Sequence, residues 1–190
     1  SADPELSTER QYVSISLLLD LAVATCSERI TVGRLEDGLT FEQLAAKVEA
    51  AAALLLADEP RSVAYVGLSG EAFHVALFAA SHAGLPISPL NYRLSDAQLA
   101  DLLGQLDHPV VIADPVYVPH LPSSYPIVTT DELLAAPPVE GTFPADVDDE
   151  EPAVILFTSG TTSAPKGVIL RHSHLVSYVL QTVDPGSAEE

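Results

Sequence analysis

The sequence predicts an α/β fold in which βαβ units build a largely parallel sheet flanked by helices. Three observations carry that prediction. Apolar residues recur at helical spacing in three segments, short β-rich runs lie between and after them, and the two kinds of segment alternate. Alternation of this kind joins neighbouring parallel strands by right-handed crossovers, which place the helices on the faces of the sheet.

The opening SADPEL is unpatterned and supports no element. Cys26 reads as a lone thiol at a helix end with no base beside it, so it receives no catalytic role. The first strong helix, TFEQLAAKVEAAAALLLAD, opens with Thr40 three residues before Gln43, a capping box in which each side chain accepts the other's backbone N–H. Its Leu44, Val48, Ala51 and Leu55 fall on one stripe. GEAFHVALFAASHAG is a second helix, ended by Gly84 with Pro86 just beyond. His74 and His82 lie on it among apolar neighbours and read as structural. A third helix, SDAQLADLLGQLD, repeats the capping box with Ser95 and Gln98 and buries Leu99, Leu102, Leu103 and Leu106; Arg93 supports the turn before it. The strands are SVAYVGL, LPISPL, PVVIADP and PIVTT, each bounded by Pro, Gly, Ser or Asp.

From residue 137 to 152 the text becomes PPVEGTFPADVDDEEP, rich in proline and acid and without period, which divides the chain into an α/β unit over 1–136, a connector over 137–152 and a further segment over 153–190. Its acids Asp146, Asp148, Asp149, Glu150 and Glu151 read as a solvated charge run rather than a cation site. The strand pattern resumes at AVILF, leading either into a second layer or back into the sheet. The closing TVDPGSAEE is polar and reads as frayed or cut.

Composition narrows the function. In 190 residues, 47% hydrophobic content suffices for a core, while 8 basic against 27 acidic residues give a formal charge of -19. That charge repels phosphodiester backbones and anionic headgroups, so neither nucleic acid nor a membrane surface is an expected partner. The most apolar windows are well short of the ~20 residues that cross a bilayer. A single cysteine and no recognisable leader fit a reducing cytoplasm.

The chain's two lysines are Lys47 and Lys166, and the second lies in FTSGTTSAPKGV among hydroxyls and glycines. Such a loop suits phosphate: glycines let backbone N–H groups converge, hydroxyls add donors, and lysine adds a point charge. It departs from the mononucleotide loop G-x-x-x-x-G-K-[ST], because Pro165 stands where glycine is needed and Gly167 where the Mg²⁺-binding hydroxyl is needed. The VIL that follows reads as a strand, whereas the mononucleotide loop opens a helix. A strand–loop–strand phosphate grip is expected; a nucleoside-triphosphate hydrolase would instead require a helix after Lys166. A plain surface turn is the simpler reading of the same composition.

The stretch FTSGTTSAPKGVILRHSHL resembles the phosphate-binding signature of the adenylate-forming (AMP-binding) superfamily, which includes acyl-CoA synthetases, peptide-synthetase adenylation domains and luciferases. Its pattern, an aromatic residue followed by T-S-G-T-T-G-x-P-K-G-V, is matched at every position except Ser163. ASHAGLPISPLNYRLSDAQLADLL resembles a second segment of that family, and PLNYRLS is similar to fatty-acyl and other acyl-CoA ligases. The resemblance implies the N-terminal portion of the large domain of an adenylate-forming enzyme. It assigns the phosphates of ATP to Thr158, Ser159, Gly160, Thr161, Thr162, Ser163, Lys166 and Gly167, with Thr158 as an Mg²⁺ contact. If the family's glycine uses a left-handed φ or a close approach, Ser163 would cost about 1 to 3 kcal/mol of strain unless the loop adapts.

The same resemblance implies a full-length acid–thiol ligase, a fatty-acid–CoA ligase, that joins a carboxylic, expectedly fatty, acid to CoA through an acyl adenylate. ATP, Mg²⁺ and CoA are then required, and a homodimer is among the expected assemblies. Family members are more than twice this length; their adenine, ribose and adenylation-lysine motifs are absent here, so no catalytic residue is assigned and the chain alone is expected to be inactive. A fatty-acyl-AMP ligase, another adenylation enzyme, and a noncatalytic binding or assembly module are the alternatives. His172 matches a family histidine and either packs or borders the acid pocket, Arg171 reads as a solvated charge, and His172 with His174 falls short of a metal site.

Overall fold

A computed structural model describes residues 14–139, 146–158 and 166–182. In chain order its elements are α1 (Ser16–Cys26), β1 (Ile30–Val32), β2 (Leu39–Thr40), α2 (Phe41–Leu55), β3 (Ser62–Val66), α3 (Glu71–His82), β4 (Ile87–Leu90) and α4 (Asp96–Leu103). There follow β5 (Pro109–Ala113), β6 (Ile127–Thr129), α5 (Thr130–Leu134), β7 (Pro152–Thr158), β8 (Lys166–Arg171) and α6 (His172–Thr182).

Helices α2 and α4 start where their capping boxes place them. Thr40 accepts the Gln43 N–H while Gln43 accepts the Thr40 N–H, and Ser95 and Gln98 make the same exchange. The predicted stripe of α2 is buried throughout, and Leu99, Leu102 and Leu103 of α4 are buried with Leu106 packed beside them. Helix α3 stops at His82 because the chain turns left-handed at Gly84, whose φ of 70° suits a residue without Cβ. A third capping box, Thr129 with Glu132, opens α5 inside a stretch whose β-branched residues read as pure strand.

Strands β6, β5, β3, β4, β7 and β8 form one sheet in that order; all neighbours are parallel except β7 and β8, which form an antiparallel pair. β1 and β2 make a separate two-stranded ribbon. Of the two continuations open after the acidic connector, the chain takes the return to the sheet, where β7 joins β4 through Ile87 and Val154. β3 and β5 are buried at every position, as expected for central strands covered on both faces. On one face Val63, Tyr65, Ile87, Val110, Ile112 and Val154 meet α1, α2, α3 and α5, and on the other Ala64, Val66, Leu90, Val111 and Ala113 meet α4. The sheet is therefore the middle layer of three.

Candidate functional site

Parallel strands deliver their C-terminal ends to one rim of a sheet, where α/β proteins bind ligands. The rim here is formed by Gly67 and Leu68 after β3, Asn91 after β4, Asp114 after β5 and Thr158 closing β7. Asp114 organises its part: one carboxylate oxygen accepts the Leu68 N–H at 2.9 Å and the other accepts the Thr130 hydroxyl at 3.0 Å. A Cβ at Gly67 would lie 3.0 Å from that carboxylate, so glycine is what lets the two loops approach. Tyr65 donates to the Leu68 carbonyl, and burial, with Asp114 nearby, pushes its phenol up to about 12. Sequence reading singled out neither Asp114 nor Tyr65, since a lone acid after a strand has no spacing signature.

Of the predicted phosphate ligands, Thr158, Lys166 and Gly167 are described, whereas Ser159, Gly160, Thr161, Thr162 and Ser163 lie outside the described residues. Thr158 and Lys166 are a directly opposed pair across β7 and β8, and the Thr158 hydroxyl donates to the Lys166 carbonyl at 3.3 Å. Period-two alternation puts both on the face of Leu156 and Val168. Gly167 opposes Phe157, and a Cβ there would meet Ile155 at 3.3 Å, so the glycine lets β8 lie close on its partner. Both Thr158 and Lys166 are exposed, and among the described residues the Lys166 ammonium has no carboxylate within ion-pair distance. An exposed lysine directly opposite a threonine at the exit of a parallel strand can hold an anionic oxygen. Lys166 opens a strand and not a helix, so the feature that would have marked a nucleoside-triphosphate hydrolase is not present.

The histidines after the hairpin divide in role. His172 is buried, and its Nδ1 accepts the Ile15 N–H at 3.3 Å; burial holds its pKa below the usual 6.5. It packs in the protein interior, one of its two expected roles. His174 is exposed and its Nδ1 accepts the Arg171 N–H at 3.4 Å. No group of three or more metal-ligating side chains occurs among the described residues. Arg171 keeps its side chain solvent-accessible, as expected of a solvated charge, while its guanidinium donates to the Glu150 carbonyl and lies 3.7 Å from the Glu150 carboxylate. Arg93 supports its turn as expected, its N–H bonded to the Asn91 side chain and its guanidinium over the Tyr92 ring.

A concavity of about 440 Å³ lies elsewhere. It opens at the N-terminal ends of β3, β5 and β6, and its charged lining includes Asp58, Glu59 and Asp107. Acidic walls of this kind disfavour an anion.

Comparison with known proteins shows the family and the fold. The family model described as "AMP-binding enzyme" matches residues 20–189. Indoleacetate–CoA ligase of Aromatoleum aromaticum is 30% identical over 169 residues, covering 78% of this chain and 33% of that protein. The fatty acid–[acyl-carrier-protein] ligase ScoC of Streptomyces coeruleorubidus is 32% identical over 147 residues, covering 70% of this chain and 28% of that protein. The chain thus spans about a third of the length of these two curated relatives. Among solved structures, the N-terminal subdomain of Klebsiella oxytoca NpsA shares the fold with a TM-score of 0.74 and 20% identity, over 85% of this chain and 43% of that one. No described helix is long and apolar enough to cross a membrane.

Proposed function

The chain belongs to the family of AMP-binding enzymes, and on that premise we propose that it supplies the phosphate grip of an ATP-dependent acid–thiol ligase. In the first step a carboxylate oxygen bonds to the α-phosphorus of ATP while the bond to the bridging oxygen of pyrophosphate breaks, giving an acyl adenylate. In the second, the thiol of CoA bonds to the acyl carbon, loses its proton and displaces AMP. The observation that carries this reading is the opposition of Thr158 and Lys166, which has no carboxylate partner among the described residues, where a parallel strand leaves the sheet.

In this reading Lys166 neutralises charge that builds on the departing pyrophosphate, and Ser159, Gly160, Thr161, Thr162 and Ser163 are the further donors to the same oxygens that the motif supplies. The Thr158 hydroxyl proton is engaged by the Lys166 carbonyl, which leaves the hydroxyl oxygen's lone pairs available to Mg²⁺. The ion would offset phosphate charge. A fatty acid as substrate and CoA as acceptor are supported by PLNYRLS and by the CoA ligase among the relatives; a carrier-protein thiol is supported by the carrier-protein ligase.

In the full-length protein Lys166→Ala should lower acid-dependent exchange of pyrophosphate into ATP by about tenfold or more, as expected for loss of a charged transition-state contact. The unfolding midpoint should stay put, because the side chain is exposed. Undiminished exchange removes Lys166 from the site. A panel of acids, then CoA against a carrier protein, identifies the acid and the acceptor.

A further inference from the structure

The acidic connector meets the far end of the hairpin in a way that neither the charge run nor the phosphate motif announces. Helix α6 begins directly after β8, so its first backbone N–H groups need partners that the helix cannot supply. The connector supplies them: the His172 N–H donates to the Glu151 carbonyl at 3.2 Å and the Ser173 N–H to the Asp149 carbonyl at 2.8 Å. Glu150 adds side-chain contacts, accepting the Ser173 hydroxyl at 3.2 Å through one carboxylate oxygen and facing Arg171 at 3.7 Å through the other. The Arg171 guanidinium also donates to the Glu150 carbonyl. Three consecutive residues of one segment are thus tied to three of another.

These ties sit beside an irregularity in the ladder. Pro152 pairs with Arg171 and Val154 with Leu170, so Ala153 is an extra residue on β7. Register in a hairpin is ordinarily set by a short turn of roughly two to five residues, and residues 159–165 exceed that length. A one-residue slip would carry Lys166 to the opposite face from Thr158.

We propose that Glu150, Arg171 and Ser173 form a clamp that fixes the register of β8 on β7 and so positions Lys166 at the phosphate site. They are positioning residues, acting through the strand, because Arg171 lies at the opposite end of β8 from Lys166. The clamp's effect on catalysis rests on the reading of the loop as the ATP grip; its effect on register does not.

The test uses the full-length protein with Glu150→Ala, Ser173→Ala and the conservative Ser173→Thr, in two measurements. Amide hydrogen exchange should accelerate about tenfold for residues of β7 and β8 in the two alanine variants, with protection of β3 and β5 unchanged and Ser173→Thr restoring it. The KM for ATP should rise about fivefold or more in the same variants while the KM for the acid stays within about twofold, a split that general loss of folded protein would not produce. Unchanged exchange in the hairpin overturns the clamp. Faster exchange with an unchanged KM for ATP overturns its positioning role. If Lys166→Ala retains full activity, the reading of the loop fails by itself, and hydrogen exchange still decides whether the clamp holds the register.

Discussion

Lys47 and Lys166 are the only lysines, yet the fold uses them differently. Lys47 donates to the Leu134 carbonyl at 2.9 Å and lies 3.8 Å from Glu71, tying α2 to α5 and α3, while Lys166 stands exposed on the hairpin. His172 carries the clearest pH dependence at this scale. Its folded pKa lies below 6.5 because burial disfavours the cation, and protonation would also set a donor against the Ile15 N–H. Below about 6.5 the unfolded chain therefore binds a proton that the folded chain refuses. The stability it contributes is complete above that value and is lost as pH falls toward the folded pKa. His82 acts in the same direction, its pKa lowered by burial against the opposing charges of Glu49 and Asp20. The unfolding midpoint should fall between about pH 7.5 and about pH 5.5, and by less in His172→Gln, which keeps an acceptor but cannot titrate. An equal fall in the variant assigns the effect elsewhere.

At the scale of elements, caps and cores differ in what they stabilise. Thr40→Ala removes one half of an exposed capping box and should lower stability by about 1 kcal/mol. Leu103→Ala leaves a void at a position fully shielded on the α4 face and should cost about 2 to 5 kcal/mol. Denaturant unfolding of the two variants checks both the order and the gap. The same contrast explains which elements could be read from sequence. α2 and α4 combine a capping box with an apolar stripe, two signals within a few residues of each other. α1 has no side-chain cap and α5 has only five residues, so α1 offers a weak start signal and α5 almost no period, although Thr129 and Glu132 spell the box.

Across the whole molecule the formal charge of -19 opposes compaction, since many like charges share one surface. Raising monovalent salt from about 0.02 M to about 0.2 M should raise the unfolding midpoint, as the screening length shrinks to roughly 7 Å. A midpoint that falls with salt would mean that attractive pairs, such as Arg61 with Asp107 or Arg34 with Asp37, outweigh the repulsion. The strand order is likewise a property of the whole. β5 crosses to the far side of β3 after β4, which brings Asp114 against Leu68 on the rim where the parallel strands end.

The sequence by itself determined the starts of α2 and α4 and the alternation that makes the sheet largely parallel, because each depends on residues within about one or two turns of chain. Tertiary structure decided that β7 returns to the same sheet, that His172 is buried against Ile15, and that residues 149–151 meet residues 171–173. Those contacts join positions far apart in the chain, where no period or spacing records them, and they form only when burial of the two sheet faces brings distant segments together.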